Sequence, residues 1–406
     1  MHYSNSITSS EALLNHTSLA APLDLASSPI FGDALKDPVS IGMISHASSN
    51  ALPIPINGSS TLAETPTPKI FTVTTLRDSV NPNDGVLSLR EAILAANDNL
   101  AADTIRFTSG LSGTITLTGG ELQILDHLTI EGLGEKVLTI SGNQQSRVFQ
   151  IGSGRLVSID SYPYHRLEIT NAPTVNISGL TIAHGMAMQA PDTSFPDNYF
   201  QGMGGGILNF GTLSLSHSTV SDNRAEINGG GIGSIGTLIV TNSSIHHNQA
   251  DTDKGGGIYS SGSLKVVKSQ VTDNKAYFGG GGIRSGSSLE VISSTIRNNQ
   301  VSNGLGGGIH SGSSLSITGS VITENTAATN GGGLYLTGGI TPIGTIKNST
   351  IAGNSAGSRT HDVDARLISS GGNRIGDRHG WWNIAAAAGD VIGTAANPVR
   401  PLYNLT

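Results

Sequence analysis

The chain has 406 residues and no cysteine, 54 residues are glycine, and only 13% are charged and 4% aromatic. This composition is typical of a repetitive β-solenoid, and it excludes a disulfide framework and thiolate chemistry. The net charge is −7 without a lysine or arginine cluster, so we expect no nucleic-acid partner. No run of about 18 apolar residues occurs, so we expect no membrane span.

Residues 1–68 are rich in serine, alanine, leucine and proline without a sustained period. This predicts a disordered leader or linker, with a tethering role as the functional alternative. The segment lacks a basic start followed by an apolar run, so no standard signal peptide is visible.

An N-terminal cap is predicted for residues 69–107. Ser88 and Glu91 have the spacing of a capping box at the start of an amphipathic helix. The predicted apolar stripe consists of Leu89, Ile93 and Leu94. A helix here would cover the first coil of a solenoid.

Six Gly-Gly-Gly-apolar tetrads recur every 25 or 26 residues in the second half of the chain. Their apolar residues are Ile207, Ile232, Ile258, Ile283, Ile309 and Leu334. Such a period marks a solenoid, and further apolar positions at fixed offsets predict roughly three short strands per coil. The sequence therefore predicts an all-β, right-handed parallel β-helix over residues 69–360, with regular coils at 204–356.

One asparagine recurs at the same offset in each repeat. The set is Asn223, Asn248, Asn274, Asn299, Asn325 and Asn354. Asparagine tolerates left-handed backbone geometry and bonds its local backbone, so these residues are predicted to form turns. Stacked coils would turn them into a structural ladder in which each amide meets the next.

A 20-residue insertion between Ala183 and Gly204 interrupts the repeats, and we expect the other inter-repeat loops to be short. It carries Tyr199 and Phe200, in a chain poor in aromatic residues. Long loops on a rigid scaffold often bind ligands. Tyr199 and Phe200 are therefore candidate binding residues, with a structural flap as the alternative.

The residue after each tetrad's apolar residue is predicted to point outward, because neighbours on a strand face opposite sides. Four of these residues are candidate catalytic groups: Tyr259, Arg284, His310 and Tyr335. The set resembles the active sites of β-helix polysaccharide lyases and epimerases, where arginine would hold a uronate carboxylate and tyrosine or histidine would move the proton. The alternative is that outward strand positions merely favour tyrosine and polar residues.

The residue before each ladder asparagine forms a second outward column. Asp222, His247 and Asp273 are candidate binding residues here, for a divalent cation or as a carboxylate–imidazole pair. Asp222 and Asp273, two coils and roughly 9–10 Å apart, lie at the upper limit for an inverting glycosidase. The alternative is a solvated turn edge.

Asp251 and Asp253 form a DxDxG fragment and are candidate metal ligands. The fragment lacks the other oxygen ligands of a calcium loop. We therefore expect no cofactor, with calcium as the alternative.

The stretch VTTLRDSVNPNDGVLSLREAILAAND, followed by DTIRF, resembles the CSLREA domain at the head of bacterial surface β-helix proteins. The match covers about residues 71–107, and Leu87 replaces the cysteine of the family's name. The glycine-rich repeats resemble those of polymorphic outer-membrane proteins, with valine or isoleucine replacing the phenylalanine of their FxxN signature. Residues 361–406, a predicted C-terminal cap, contain SSGGNRIGD and GDVIGTAANPVRPL and are similar to the choice-of-anchor Q region.

These resemblances imply an extracellular or cell-surface module, an adhesin or stalk that binds polysaccharide or cell-surface glycan without catalysis. The alternative is a lyase, epimerase or glycosidase that acts on an acidic polysaccharide along the β-helix face. A third class is a structural subunit that forms homo-oligomers or assembles end to end. A groove walled by long loops would favour an enzyme.

Overall fold

The computed structural model describes residues 65–158, 165–189, 199–337, 344–357, 361–377, 386–394 and 397–400. These residues wind into a stack of coils held together by four parallel sheets, which confirms the all-β parallel β-helix. The predicted leader lies almost wholly outside the described residues. No helix in the described ranges is long and apolar enough to cross a membrane.

Two of the four sheets contain eleven described strands each. In spatial order, sheet 1 contains Ile70–Val73, Asp103–Phe107, Leu128–Glu131, Thr174–Ser178, Thr212–Ser216, Thr237–Thr241, Leu264–Val267, Leu289–Ile292, Leu315–Thr318, Gly344–Lys347 and Leu367–Ser369. Sheet 2 contains Gly113–Thr116, Leu138–Ser141, Thr181–Ala183, Thr219–Ser221, Ser244–His246, Gln270–Thr272, Thr295–Arg297, Val321–Thr323, Thr350–Ile351, Arg374–Ile375 and Val391–Ile392.

The other two sheets are built from shorter strands. Sheet 3 contains Met186–Ala187, Arg224–Ala225, Gln249–Ala250, Lys275–Ala276, Gln300–Val301, Thr326–Ala327 and Ser355–Ala356. Sheet 4 contains Leu122–Ile124, Phe149–Ile151, Ile207–Asn209, Ile232–Ser234, Ile258–Ser260, Ile283–Ser285, Ile309–Ser311, Leu334–Leu336 and Val363–Asp364.

Each regular coil has four strands, so the prediction of three was wrong. The additional strand is the two-residue segment of sheet 3, as in Arg224–Ala225, which pairs in parallel with Gln249–Ala250. The second residue of each described sheet 3 strand is alanine, except for valine in Gln300–Val301. Sheets 1, 2 and 4 enclose one continuous aliphatic core that runs along the stack, and the buried sheet 3 residues Ala250, Ala276 and Val301 form a separate small cluster.

A single α-helix, Leu89–Asn97, lies at the start of the described solenoid, and Ser88 and Glu91 form the predicted capping box. The predicted apolar stripe needs a correction, because Leu94 is 48% exposed. The buried face consists of Leu89, Ala92, Ile93 and Ala96. These positions follow the i, i+3, i+4, i+7 spacing of one helix face, and Leu94 falls beside it.

The asparagine ladder is confirmed over all six residues. Each side-chain amide donates to the Oδ1 atom of the next, at distances of 2.9–3.0 Å. The ladder asparagines do not adopt the left-handed geometry that we expected. That geometry belongs to the preceding residue, for example Asp222 at φ 56° and His247 at φ 54°. The turn therefore bends one residue earlier, and this leaves the asparagine side chain pointing inward.

A second ladder, of serines, was not predicted. It consists of Ser218, Ser243, Ser269, Ser294, Ser320 and Ser349, all buried between sheets 1 and 2. Each backbone N–H donates to the hydroxyl of the next serine at 3.1–3.2 Å. The serine offset recurs in every repeat, so its periodicity was available in the sequence.

Both ladders end on an aspartate in the last coils. The backbone and side-chain N–H groups of Asn354 each donate to Oδ1 of Asp362 at 2.8 Å. The serine ladder continues through Asn373, which donates to Oδ1 of Asp390 at 2.9 and 3.0 Å. The sheets therefore extend past the predicted end of the solenoid at residue 360.

An antiparallel hairpin, Ser153–Ser158 with His165–Asn171, projects from the early coils. We expected every connection other than the 183–203 insertion to be short, and this hairpin shows that the expectation was wrong. The hairpin follows directly on the sheet 4 strand Phe149–Ile151. It stands beside the 3-10 helix Tyr199–Gly202, which belongs to the insertion.

Candidate functional site

A second apolar cluster covers the outer face of sheet 4 at its early coils, from Leu208 to Tyr259. It is formed by Leu156, Tyr199, Met203, Leu208, Phe210, Ile227, Ile235 and Tyr259. The hairpin and the insertion contribute Leu156, Tyr199 and Met203, which pack on side chains that a bare solenoid would expose to water. Removing this apolar surface from water stabilises the packing of both insertions against the rod.

The predicted catalytic column lies in register as expected, with Tyr259 beside Arg284, Arg284 beside His310 and His310 beside Tyr335. The column points outward as predicted, but three of its four side chains are covered. Tyr259, Arg284 and His310 are 0%, 1% and 6% exposed. The alternation rule places them on the outer side of the sheet, but the second apolar cluster and the adjoining turns cover that side.

Arg284 and His310 of this column each make a polar contact inside the protein. The guanidinium of Arg284 donates to the backbone oxygen of Ser285. Nε2 of His310 lies 2.9 Å from the hydroxyl of Thr337, and its ring packs edge-on against Tyr335. Burial, followed by the charge of Asp364, raises the pKa of the Tyr335 hydroxyl. The four side chains thus form a structural column and not an open catalytic surface.

Arg147 anchors the insertion to the solenoid. Its Nε and Nη2 atoms donate to the backbone oxygens of Phe200, Gln201, Met203 and Gly204 at 2.9–3.1 Å. Its Nη1 atom pairs with Glu121. Burial lowers the pKa of Arg147, and the Glu121 carboxylate opposes that shift. The guanidinium therefore caps the carbonyl end of the 3-10 helix.

A cleft of about 510 Å³ opens between the hairpin and the insertion, above the first strands of sheet 4. We call it the insertion cleft. Its lining residues are Glu121, Gln145, Ser146, Arg147, Gln150, Gly154, Arg155, Leu156, Met186, Ala187, Met188, Phe200, Gln201 and Phe210. Apolar and amide side chains predominate, and its size is in the range of small-molecule sites.

The two aromatic residues predicted to bind ligand have different positions. Phe200 lines the insertion cleft and meets Phe210 edge to face, with ring centroids 5.1 Å apart. Tyr199 is buried, and its hydroxyl accepts a hydrogen bond from Asn228 at 3.1 Å. Phe200 is thus placed to contact a ligand, whereas Tyr199 holds the insertion in place.

The second predicted column, with Asp222, His247 and Asp273, lies along the edge between sheets 2 and 3. Each of these residues has a left-handed φ of 54–58°. Asp222 and His247 are exposed and Asp273 is half-buried. The nearby side chain of His246 places its Nδ1 atom 2.8 Å from Nδ1 of His247.

His246 lies on the outer face of sheet 2 among charged groups. Burial and His247 lower the pKa of His246, while Asp222, Asp273 and Glu135 raise it. The structure thus brings the predicted column together with Glu135, which was not singled out in the sequence. Within the described ranges, no group of three or more histidine, aspartate or glutamate side chains is placed to hold a metal ion.

The predicted calcium ligands are each engaged with a cationic side chain. Asp251 pairs with Arg224 at 2.7 Å, and the buried Asp253 lies 3.2 Å from the amine of Lys254. A cationic neighbour neutralises each carboxylate, so this fragment does not present the set of uncompensated oxygen ligands that calcium takes.

The residues that shape the insertion cleft were mostly missed by sequence reasoning. Arg147 and Arg155 belong to no repeat column, whereas Gln150 pairs with Leu208 and extends the outward column into an irregular early coil. The alternating segment His165–Asn171 could have indicated an extra strand, and its pairing with Ser153–Ser158 would then have predicted one wall of the cleft. Nothing in the sequence marks Arg147 as an anchor, because its partners are backbone oxygens.

Comparison with known proteins gives no assignment. No protein-family model matches the chain, and no similar curated protein was found.

Proposed function

We propose that this chain is an extracellular or cell-surface β-helix module that binds saccharides in the insertion cleft without catalysis. The observation that carries the proposal is the cleft itself, which two insertions build on an otherwise regular rod. The resemblance of the N-terminal segment to the CSLREA domain of surface proteins supports the location.

The lining of the cleft suits a sugar ring. Phe200 offers an aromatic surface for the apolar C–H face of a pyranose, and the buried ring of Phe210 supports it from below. Gln145, Gln150 and Gln201 supply amides that both donate and accept, as hydroxyl groups require. Apolar side chains combined with a few well-placed polar groups are the usual lining of a small-ligand site.

The charges of the cleft favour binding over catalysis. Its described lining contains one carboxylate, Glu121, and that carboxylate is paired with the buried Arg147. A glycosidase of the common type needs two carboxyl groups, one on each side of the scissile bond. No histidine, tyrosine or lysine is among the described lining residues to serve as the base of a lyase.

A second candidate function, glycan hydrolysis or elimination, is favoured by the outer face of sheet 2. Glu135, Asp222 and Asp273 all act electrostatically on His246 there. Such a set supplies candidate acid and base groups, but in the part of the chain that the structure describes sheet 2 carries no insertion comparable with the two at the cleft. We rank this function below saccharide binding for that reason.

The proposal is tested by calorimetric titration of the full chain with neutral and acidic oligosaccharides, with and without calcium. Gln150→Ala should weaken binding, because this half-buried amide lines the cleft. Gln300→Ala is the matched control, since Gln300 is an exposed amide on sheet 3. Absence of binding across the panel, or equal losses in both variants, would overturn the proposal.

Mass spectrometry of the same mixtures tests the second candidate function. Shortened or unsaturated products that disappear in Asp222→Asn would establish catalysis on sheet 2. Intact oligosaccharides would leave binding as the function and would eliminate the enzyme alternative for the panel used.

A further inference from the structure

Among the described residues, the charge that the insertion cleft presents to a ligand comes from one side chain. The described lining contains three charged residues, Glu121, Arg147 and Arg155. Glu121 and Arg147 neutralise each other, and the guanidinium of Arg147 is 6% exposed and occupied by backbone oxygens. Arg155 remains, with 67% of its side chain exposed.

Arg155 is paired in a way that allows a ligand carboxylate to replace its present partner. Its Nε and Nη2 atoms both donate to a single oxygen, Oε2 of Glu168, at 2.9 Å. Glu168 is on the neighbouring hairpin strand, is 39% exposed and does not line the cleft. Exposed ion pairs of this kind contribute little to stability, so a second carboxylate can compete for the guanidinium.

We infer that the insertion cleft selects acidic saccharides, and that Arg155 is the residue that binds the uronate carboxylate. A guanidinium offers two parallel N–H groups to a carboxylate, and a planar fork of this kind discriminates a carboxylate from a hydroxymethyl group. Glu168 is then an internal competitor that the ligand displaces. This inference rests on the proposed saccharide-binding function and adds the ligand class to it.

The test compares a homo-oligouronate with its carboxyl-reduced, neutral counterpart in calorimetric titrations of the full chain. Arg155→Gln should weaken binding of the oligouronate by about tenfold or more and leave the neutral oligomer unchanged. Glu168→Gln should strengthen oligouronate binding several-fold, because it removes the competitor.

The matched control is Arg106→Gln. Arg106 pairs with Glu131 at 2.6 Å on sheet 1, and the two side chains are 51% and 45% exposed. This variant removes the same charge at a distance from the cleft, so it should leave both affinities unchanged. If Arg106→Gln and Arg155→Gln weaken oligouronate binding equally, the loss comes from the change in net charge, and the inference is overturned.

The remaining outcomes separate the inference from the function on which it rests. If Arg155→Gln weakens both oligomers equally, or if wild type prefers the neutral oligomer, saccharide binding stands and acidic selectivity is wrong. If wild type binds neither oligomer, the proposed function fails for this ligand class and the inference fails with it.

Discussion

Replacing one ladder asparagine should destabilise the rod far more than replacing the amide beside it. Asn299 is 1% exposed, and its Nδ2 atom donates to the backbone oxygens of Val271 and Arg297 and to Asn325. Its Oδ1 atom accepts from the backbone and side-chain N–H groups of Asn274 at 3.0 and 2.9 Å. Asn299→Ala removes all five hydrogen bonds.

The expected loss follows from the groups left behind. The side-chain amide of Asn274 keeps the oxygen of Ile245 at 2.9 Å as an acceptor, but its backbone N–H loses Oδ1 of Asn299. The backbone oxygen of Val271 loses its side-chain donor as well. A buried polar group without a partner costs about 1–3 kcal/mol, so Asn299→Ala should lower the free energy of unfolding by about 2–6 kcal/mol.

The assay is urea denaturation followed by far-ultraviolet circular dichroism, together with hydrogen exchange at the Asn274 amide. Gln300→Ala is the control, because the side chain of Gln300 is exposed. It should change the free energy of unfolding by no more than about 0.5 kcal/mol. The reasoning is refuted if the two variants unfold alike, or if the Asn274 amide exchanges no faster in Asn299→Ala.

Three further changes test other parts of the structure. Burial raises the pKa of Asp362 from 3.8 to about 6, so the folded protein holds this proton more tightly than the unfolded chain. This group therefore stabilises the fold most below pH 4, and its contribution falls by about 3 kcal/mol as the pH rises to 6. The difference in unfolding free energy between Asp362→Asn and wild type should shift in favour of the variant across that range, and a flat difference in urea titrations would contradict the assignment. Arg147→Lys keeps the charge beside Glu121 but loses the fork that reaches the 3-10 helix. It should destabilise the protein by about 2–4 kcal/mol and speed hydrogen exchange at residues 199–204, whereas the exposed Arg106→Lys should do neither. Ser88→Ala removes the helix cap and the bond to the oxygen of Ser79, at a cost of about 0.5–2 kcal/mol in urea denaturation. An unchanged urea midpoint would show that the Glu91 side chain alone is enough to cap the start of the helix.

The repeated features of the fold could be predicted from the sequence because each occurs once in every regular coil. The tetrads, the aliphatic positions and the asparagine ladder recur at a fixed offset, so a single rule predicts all copies. The number of strands per coil was harder to predict. A two-residue strand such as Arg224–Ala225 has only one inward residue, so it shows no alternating pattern.

The candidate site was less predictable because it is built from the segments that break the repeat. Alternation correctly placed Tyr259 and Arg284 on the outer side of sheet 4, but alternation says nothing of what packs on that side. Tyr259 is buried in a cluster to which the hairpin and the insertion contribute, and these segments are distant in sequence and have no periodic signal. Phe200 was found because it stands out by composition, whereas Arg147 and Arg155 do not.

Because the ladders end on aspartates, the end of the rod is built in the same way whatever the number of coils before it. Asp362 accepts the last asparagine amide, and Asp390 closes the serine ladder. Every link before them joins one coil to the next in the same way, as Asn248 joins Asn274. Loss or duplication of one whole coil would bring equivalent donors and acceptors together again, and neither the helix cap nor the aspartate ends would change. Gain or loss of single repeats can therefore lengthen or shorten the rod and leave the insertion cleft at its early coils unchanged.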